Sequence, residues 1–453
     1  MTKVLIINPP SNLILYKEDL RCQNDADDLI HNIIRPPITL MYLAAISEKL
    51  GLKTKIIDAP VEGIKLKQLK EFLINWKPDW VVVNTSIQTL ESDLLGLRIA
   101  KEKGAKTIAF GYAPTLNSIS ILKNAEYIDF LIRGEPEKPF RELLEGALPY
   151  DNIKGLTFRE NNRIKQNEEP DFLQNLDELP FPAHHLITHN LYRVPTTGEI
   201  FTTIQTSKGC PNRCTFCLSN VLNGSKVRRR SITSIIKEIK LVITKLHINN
   251  FFFRADLFTF NKQWILKLCQ EIIKNNLKIS WFCNSRVDTI DLEMLRAMKK
   301  AGCYYICFGV ESGNNEVLRY IQKGITKEQA IETIRLTRNC RIITTAVYIL
   351  GLPGDTLNSI HETIQFSKEV DSDLAEFIPF IRFPGAKALK QTLLNFHPLL
   401  LQKLRRYALI QFYFRPKIFL RQIRNFYMKI QGLRQLLNLI LITLKTVGRI
   451  FRL

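Results

Sequence analysis

No stretch of this chain reaches the ~20 consecutive apolar residues that a helix needs to cross a bilayer. The longest candidate in the C-terminal part, Leu433–Leu444, stops at about a dozen, which excludes a true transmembrane helix there. Histidine is scarce, with seven residues in 453, and none falls at metal-ligand spacing. The adjacent pair His184-His185 lies in a proline-rich segment and reads as structural. The nine cysteines are an odd number and no signal peptide is recognised, which argues against a disulfide framework and for a reducing cytoplasm. Internal repeats and low-complexity linkers are absent. Acidic residues are missing from one region: residues 401–453 carry twelve Lys or Arg and no Asp or Glu. More than half of the formal charge of +21 therefore sits in that tail, and it suggests a local surface contact rather than nucleic acid. The length suits two or three domains, and 45% hydrophobic residues is ordinary for a globular protein.

What is present is three cysteines in one short loop, Gly209-Cys210-Pro211-Asn212-Arg213-Cys214-Thr215-Phe216-Cys217. Thiolates are soft ligands, and three so close can wrap one face of an iron–sulfur cluster. A [4Fe–4S] cube has four iron corners, so three thiolates leave one open to substrate or cofactor. An electron-transfer cluster would want a fourth cysteine nearby, and the next is Cys269. The alternatives are zinc and a disulfide, but zinc sites show paired C-x2-C units or added histidines, and no such partner pair occurs.

The C-x3-C-x2-C spacing resembles the signature loop of radical S-adenosylmethionine (SAM) enzymes, and Phe216 fits the aromatic they carry before the third cysteine. The resemblance implies that the open iron binds the amino and carboxylate groups of SAM. It also implies that an electron from the cluster cleaves the sulfonium to give a 5′-deoxyadenosyl radical.

The N-terminal third alternates short apolar runs with helical patterns: strands at 3–10 (ended by a double proline), 54–57, 80–84, 107–111 and 130–133, helices at 38–50, 66–75, 94–103 and 118–124. This predicts a Rossmann-like, doubly wound parallel sheet, whose ligands bind beyond the carboxyl ends of the strands. The strand ending in Asn8-Pro9-Pro10, the Pro36-Pro37 before a helix and the run Arg133-Gly-Glu-Pro-Glu137 resemble the cobalamin-binding domain that precedes many radical SAM domains. That resemblance implies cobalamin contacts at Pro9, Pro10, Thr85, Ser86, Gly111, Pro114 and Glu135. Two departures stand out. No Asp-x-His-x-x-Gly motif occurs, so no histidine replaces the lower cobalt ligand. Tyr112 stands where the family has glycine and would narrow the slot for the nucleotide tail. The alternative is a flavodoxin-like domain that packs or binds something else.

From Phe201 onward six strands alternate with helices, which fits a partial (β/α)6 barrel with its chemistry at the carboxyl strand ends. By resemblance, Asp256 would accept from the SAM ammonium, Arg286 would pair with the SAM carboxylate, and Glu311 and Ser312, in a Gly309-Val-Glu-Ser-Gly313 run, would contact its ribose or amino-acid part. Gly351, in Gly351-Leu-Pro-Gly-Asp355, would admit the adenine. For each the alternative is an ordinary surface or turn residue. Phe380–Pro384 would line the substrate side. Cys269, Cys303 and Cys307 read as core residues, and Cys283 as core or cavity-facing.

The expected organisation is 1–150 cobalamin-binding domain, 151–195 linker around Leu179-Pro-Phe-Pro-Ala183, 196–395 radical SAM barrel and 396–453 basic helical tail. The tail, interrupted at Tyr413–Pro416, fits interfacial helices on anionic lipid or a helical cap on the barrel, with nucleic acid third.

Together the resemblance implies a cytoplasmic, peripherally membrane-associated enzyme with a [4Fe–4S] cluster, SAM and cobalamin as cofactors. It would abstract hydrogen from an unactivated carbon of a small-molecule, lipid-like substrate and methylate it. A reductase, flavodoxin or ferredoxin would supply electrons. Cyclisation or oxidation without methylation is one alternative, and a non-catalytic cobalamin or membrane-surface binding protein another. A tRNA methylthiotransferase needs three further N-terminal cysteines, and only Cys22 precedes Cys210.

Overall fold

The computed structural model describes residues 1–13, Lys17, 34–195, 197–381, 396–418, Leu420 and Arg421. Arg382–Pro384 and Leu433–Leu444, both invoked above, lie outside the described residues, as does Cys22. The chain divides into two units. The first takes Ile34–Leu191 with the N-terminal strand and Leu218–Arg230. The second takes Tyr192–Cys217 and the chain from Ser231 on.

The first unit is built on β1 (Lys3–Asn8), β2 (Lys53–Asp58), β3 (Trp80–Thr85), β4 (Lys106–Gly111), β5 (Phe130–Ile132), β6 (Leu156–Glu160) and β7 (Arg163–Gln166), in the order β2-β1-β3-β4-β5-β6-β7. β1 to β5 pair in parallel, with Val4 opposite Thr54 on one side and Trp80 on the other. Strands buried on both faces need apolar side chains at every position, which is why β1 reads as a continuous run. Val4 and Ile6 pack into one core with the helix Ile38–Lys49, while Leu5 and Ile7 pack into the other with Leu69, Leu73 and Leu97. β6 and β7 form an antiparallel hairpin on the β5 edge. They lie in the stretch read from sequence as linker. β7 has no buried residue, so its apolar pattern is too weak to mark a strand.

The second unit is a parallel sheet of six strands standing in chain order: Thr202–Gln205, Asn250–Arg254, Ser280–Arg286, Cys303–Glu311, Ile343–Leu350 and Leu374–Pro379. The first and sixth strands form its edges, as an incomplete barrel requires. Each connecting helix starts at a polar cap. Ser231, Asn261, Asp291, Thr326 and Thr356 accept from backbone N–H groups of the first turn, at 3.1, 2.8, 2.9, 3.2 and 3.1 Å. Two details differ from the sequence reading. The third strand, expected over 280–284, runs on through Ser285 and Arg286, because the nine-residue fourth strand offers partners up to Gly309. A short helix, Asn315–Tyr320, capped by Asn314, precedes the helix Lys327–Asn339.

The barrel core is aromatic: Phe253 stacks on Trp281 at 4.7 Å and Phe252 on Phe282 at 5.1 Å. The Trp281 indole N–H donates to the carbonyl of Ala301 at 2.8 Å. The sixth strand would present an open edge. The helix Pro398–Tyr413 packs there, burying Leu401, Leu404, Ala408 and Phe412, and its Tyr413 hydroxyl bonds both the N–H and the C=O of Ala375 at 3.0 Å. The start of the basic tail is thus a cap on the barrel edge. No helix among the described residues is long and apolar enough to cross a membrane.

Gly302 joins a helix to the fourth strand at φ +97°, and a Cβ there would sit 2.1 Å from the carbonyl oxygen of Ile279. Gly302→Ala is expected to cost about 1–3 kcal/mol, seen as a lower denaturation midpoint with no loss of secondary structure at low denaturant.

Candidate functional site

The cysteine loop follows the first barrel strand and has no regular structure to hold it. Its shape comes from contacts with other strand ends. Gly209, at φ +89°, donates its N–H to Asp256 Oδ2 at 2.7 Å, from the loop after the second strand. Thr215 N–H donates to the carbonyl of Ile321 at 3.0 Å, and Cys217 N–H turns back onto the carbonyl of Cys214 at 3.2 Å. Phe216 is buried and anchors the loop to the core. Cys210, Cys214 and Cys217 are half-buried and in no disulfide.

Two donors reach the sulfurs. Asn212 Nδ2 lies 3.5 Å from Cys210 Sγ, and Arg286 Nη1 lies 3.7 Å from Cys214 Sγ. Burial pushes the Cys210 thiol up, and the Asn212 donors partly oppose it. An iron ion would overcome this, since a coordinating thiol is deprotonated outright. Among the described residues, no three His, Cys, Asp or Glu side chains form a single-ion cage. A cubane needs none, because its thiolates bind different iron corners.

The fork that the sequence reading aimed at the SAM carboxylate is turned elsewhere. Arg286 Nε and Nη2 donate to the two oxygens of Asp288, each at 2.8 Å, and Nη2 also donates to the carbonyl of Lys323 at 2.6 Å. Lys323 is central. Its backbone holds Arg286, while its Nζ donates to Glu311 Oε1 at 2.5 Å, both side chains being nearly inaccessible. Glu311 reaches this partner from a strained backbone, φ +72°, at a register shift in the fourth strand. Gly309 makes room, since a Cβ there would stand 2.4 Å from Glu311 Oε1. Ser312 faces the helix Leu357–Val370, where its hydroxyl lies 3.2 Å from that of Thr363.

At the fifth strand end, Gly351 takes φ +84°, and a Cβ there would meet the Leu401 side chain at 2.8 Å. The face read as an adenine approach is therefore covered by the first helix of the tail. Asp355 closes this turn, accepting from the N–H groups of Gly351 and Leu352 at 3.0 and 2.8 Å and from Ser359 Oγ at 2.6 Å. Burial pushes its carboxyl up to about 6. Cys283 is fully buried, and burial drives its thiol well up, so it belongs to the core rather than the cavity.

The residues assigned to cobalamin gather at the carboxyl ends of β1, β3, β4 and β5. Pro9 packs against Gly96, where a Cβ would come within 2.9 Å of its ring, and Pro10 follows it, half-buried. Thr85 Oγ1 donates to the carbonyl of Phe110 at 2.8 Å. Ser86 N–H donates to Asp93 Oδ2 at 3.1 Å, and Lys17 Nζ bridges Asp93 Oδ1 at 2.5 Å and the carbonyl of Asn84 at 2.8 Å. Gly111, at φ +111°, lies against β3, where a Cβ would be 2.4 Å from the carbonyl oxygen of Thr85. Helix Tyr112–Asn124 starts directly after it, with Pro114 buried in its first turn, so the loop expected at Tyr112–Thr115 is helical. Tyr112 is buried and its hydroxyl donates to Gln88 Oε1. Glu135 is held by Arg228 at 2.9 and 2.5 Å, both fully inside, with the guanidinium 5.2 Å from the Phe172 ring centre. Two buried polar atoms at these strand ends have no hydrogen-bond partner: Asn8 Oδ1 on the last residue of β1 and Gln88 Nε2 after β3.

Comparison with known proteins accounts for this arrangement. The radical SAM superfamily profile matches residues 204–367, from the first barrel strand through the helix after the fifth. Those residues form a radical SAM domain. An uncharacterized methyltransferase of Pyrococcus horikoshii is 27% identical over 93% of this chain and 94% of its own length. An anaerobic magnesium-protoporphyrin IX monomethyl ester cyclase of Cereibacter sphaeroides is 26% identical over 77% of this chain, which spans 59% of that enzyme. Among solved structures, the radical SAM methyltransferase TsrM of Kitasatospora setae, with cobalamin and a [4Fe–4S] cluster bound, superposes with a TM-score of 0.68 at 16% identity. That superposition covers 86% of this chain and 74% of TsrM, so the shared fold extends beyond residues 204–367.

Lys323, Asp288, Lys17 and Arg228 were not singled out from sequence. Asp288 alone had a local signal, its i+2 spacing from Arg286 at a strand end. Lys323→Met, which strands Glu311 as a buried unpaired carboxylate, is expected to cost about 3–5 kcal/mol in chemical denaturation. Asp355 has its folded value raised above the unfolded one of 3.8, so its contribution to stability is full below pH 4 and is lost as pH rises through about 6. Asp355→Asn should therefore gain stability over the wild type between pH 4 and 7, by at most about 3 kcal/mol in parallel melts.

Proposed function

We propose that this radical SAM protein is an enzyme that holds a [4Fe–4S] cluster on Cys210, Cys214 and Cys217, cleaves SAM reductively and methylates an unactivated carbon of a small molecule with the help of cobalamin. The observation that carries the reading is the three-thiol loop itself. It stands at the carboxyl end of the first barrel strand, pinned by Asp256 and by the carbonyl of Ile321, with all three cysteines half-exposed and in no disulfide. When bound, the cluster supplies one electron to the SAM sulfonium, and the radical released takes a hydrogen atom from substrate.

The protein's part is to hold and exclude. Phe216 fixes the loop from the core side. Asp256, Glu311, Ser312 and Gly351 are assigned to the SAM side by their strand-end positions. Asp256 and Glu311 already fix loop geometry, through Gly209 and Lys323. Ser312 acts through helix packing and Gly351 through its turn.

Cobalamin is assigned to the first unit. Its strand order β2-β1-β3 creates a switch point between β1 and β3, where ligands of such sheets bind. The unpartnered Asn8 Oδ1 and Gln88 Nε2 lie at the strand ends at that point and offer an acceptor and a donor to a polar ligand. Pro9, Pro10, Thr85, Ser86, Gly111, Pro114 and Glu135 shape those loops. Cobalamin would supply the methyl group. The named relatives include both methyltransferases and a cyclase, so ring closure on the same radical is the second reading. A reductase, flavodoxin or ferredoxin would deliver the electron. A lipid-like substrate and contact of residues 401–453 with anionic lipid rest on the composition of that tail.

Anaerobic protein supplied with iron, sulfide and cobalamin should show cluster and cobalamin absorption, and with dithionite and SAM should release 5′-deoxyadenosine. Cys214→Ala should abolish that release. Isotope from methyl-labelled SAM appearing in product identifies methyl transfer, and its absence identifies the second reading. Cluster without cobalamin would leave a plain radical enzyme, and a chain that takes up no cluster would sink the proposal.

A further inference from the structure

The guanidinium of Arg286 is unusual in being buried, fully engaged and aimed at a sulfur. Its side chain is 9% exposed. Nε and Nη2 are locked on Asp288, Nη2 also holds the carbonyl of Lys323, and Nη1 faces Cys214 Sγ at 3.7 Å. The side chain cannot swing without breaking the Asp288 fork and the Lys323 contact together. Its direction is thus set by the fold. The Lys323 contact is itself fixed, because the amine of Lys323 is tied to the buried Glu311.

We propose that Arg286 is a positioning residue that sets the reduction potential of the cluster, by donating an N–H to Cys214 Sγ and placing a positive charge beside it, and that Asp288 limits the effect. The inference rests on the cluster assignment above. A [4Fe–4S] cluster in its 2+ state takes one electron from a low-potential donor of the flavodoxin, ferredoxin or dithionite class and becomes 1+, with no proton or bond change. The reduced form carries one more negative charge, concentrated on sulfur. A hydrogen bond and a cation at a ligand sulfur therefore stabilise it over the oxidised form and raise the potential. Asp288, 2.8 Å from the guanidinium on two oxygens, puts a negative charge behind the positive one and damps its field. The two residues are predicted to move the potential in opposite directions, which a general loosening of the site would not do.

The test is an anaerobic redox titration of the reconstituted full-length protein, with the reduced fraction read by electron paramagnetic resonance, for wild type, Arg286→Met, Arg286→Lys and Asp288→Asn. Arg286→Met is expected to lower the reduced-to-oxidised ratio at fixed ambient potential about tenfold, a shift of ~59 mV for one electron. Arg286→Lys, which keeps a charge but loses the fork, should fall between it and wild type. Asp288→Asn should shift the ratio the other way. If Arg286→Met fails to assemble a cluster, the upward shift in Asp288→Asn decides. Unchanged potentials, or shifts of the same sign in Arg286→Met and Asp288→Asn, overturn the proposal while leaving the cluster assignment intact. A wild type that takes up no cluster overturns both.

Discussion

A parallel strand can rejoin its sheet only through a crossover, and that constraint shapes both units. Every crossover begins at the carboxyl end of one strand and leaves a loop there, so the strand-to-helix loops of a unit gather along one edge. Helices must cover both faces, which makes the strands apolar throughout and leaves that edge as the place where polar groups can meet. The cysteine loop depends on this directly. It is irregular, yet Asp256 from the second strand end, Arg286 from the third and Ile321 beyond the fourth all reach it.

The site edge is crowded with charge, and the charges are paired rather than solvated. Glu311 is matched by Lys323, and Arg286 by Asp288. A buried pair of this kind contributes little net stability, because desolvation offsets the attraction. Its consequence is directional. The chain around Lys323 bonds the cysteine loop at Ile321, Arg286 at its own carbonyl and Glu311 at its amine, so one short turn fixes three separate parts of the edge.

What could be read from the sequence and what could not divide along distance in the chain. The barrel helices were legible because each starts at a cap and carries its own apolar stripe, as in Asp291 before Leu292–Lys300. The three cysteines were legible because they are seven positions apart at most and their chemistry is local. The Lys323–Glu311 pair was not, because it needs a left-handed bulge at Glu311 that no propensity announces. Lys17 with Asp93 and Arg228 with Glu135 join positions 76 and 93 residues apart, and a lysine or arginine carries no mark of its distant partner. β7 escaped notice because an edge strand with nothing buried shows little pattern, and β6 because it buries only three consecutive residues, Leu156, Thr157 and Phe158.

The role proposed for Arg286 shows how the fold narrows choices that sequence leaves equal. An arginine at a strand end beside a cluster can hold a carboxylate of the ligand or answer to the protein. The Asp288 fork settles the direction of two of its nitrogens, and the Lys323 carbonyl adds a third bond on the same side. Only Nη1 then points toward the cysteine loop, and it meets sulfur. A lone cation there would ease entry of the electron but weaken its transfer onward to a sulfonium, because a higher potential is a poorer reductant. Pairing the cation with a carboxylate keeps the hydrogen bond while restraining the charge. The arginine–aspartate couple therefore fits a cluster that must be reducible by a biological donor and still reducing toward its own ligand.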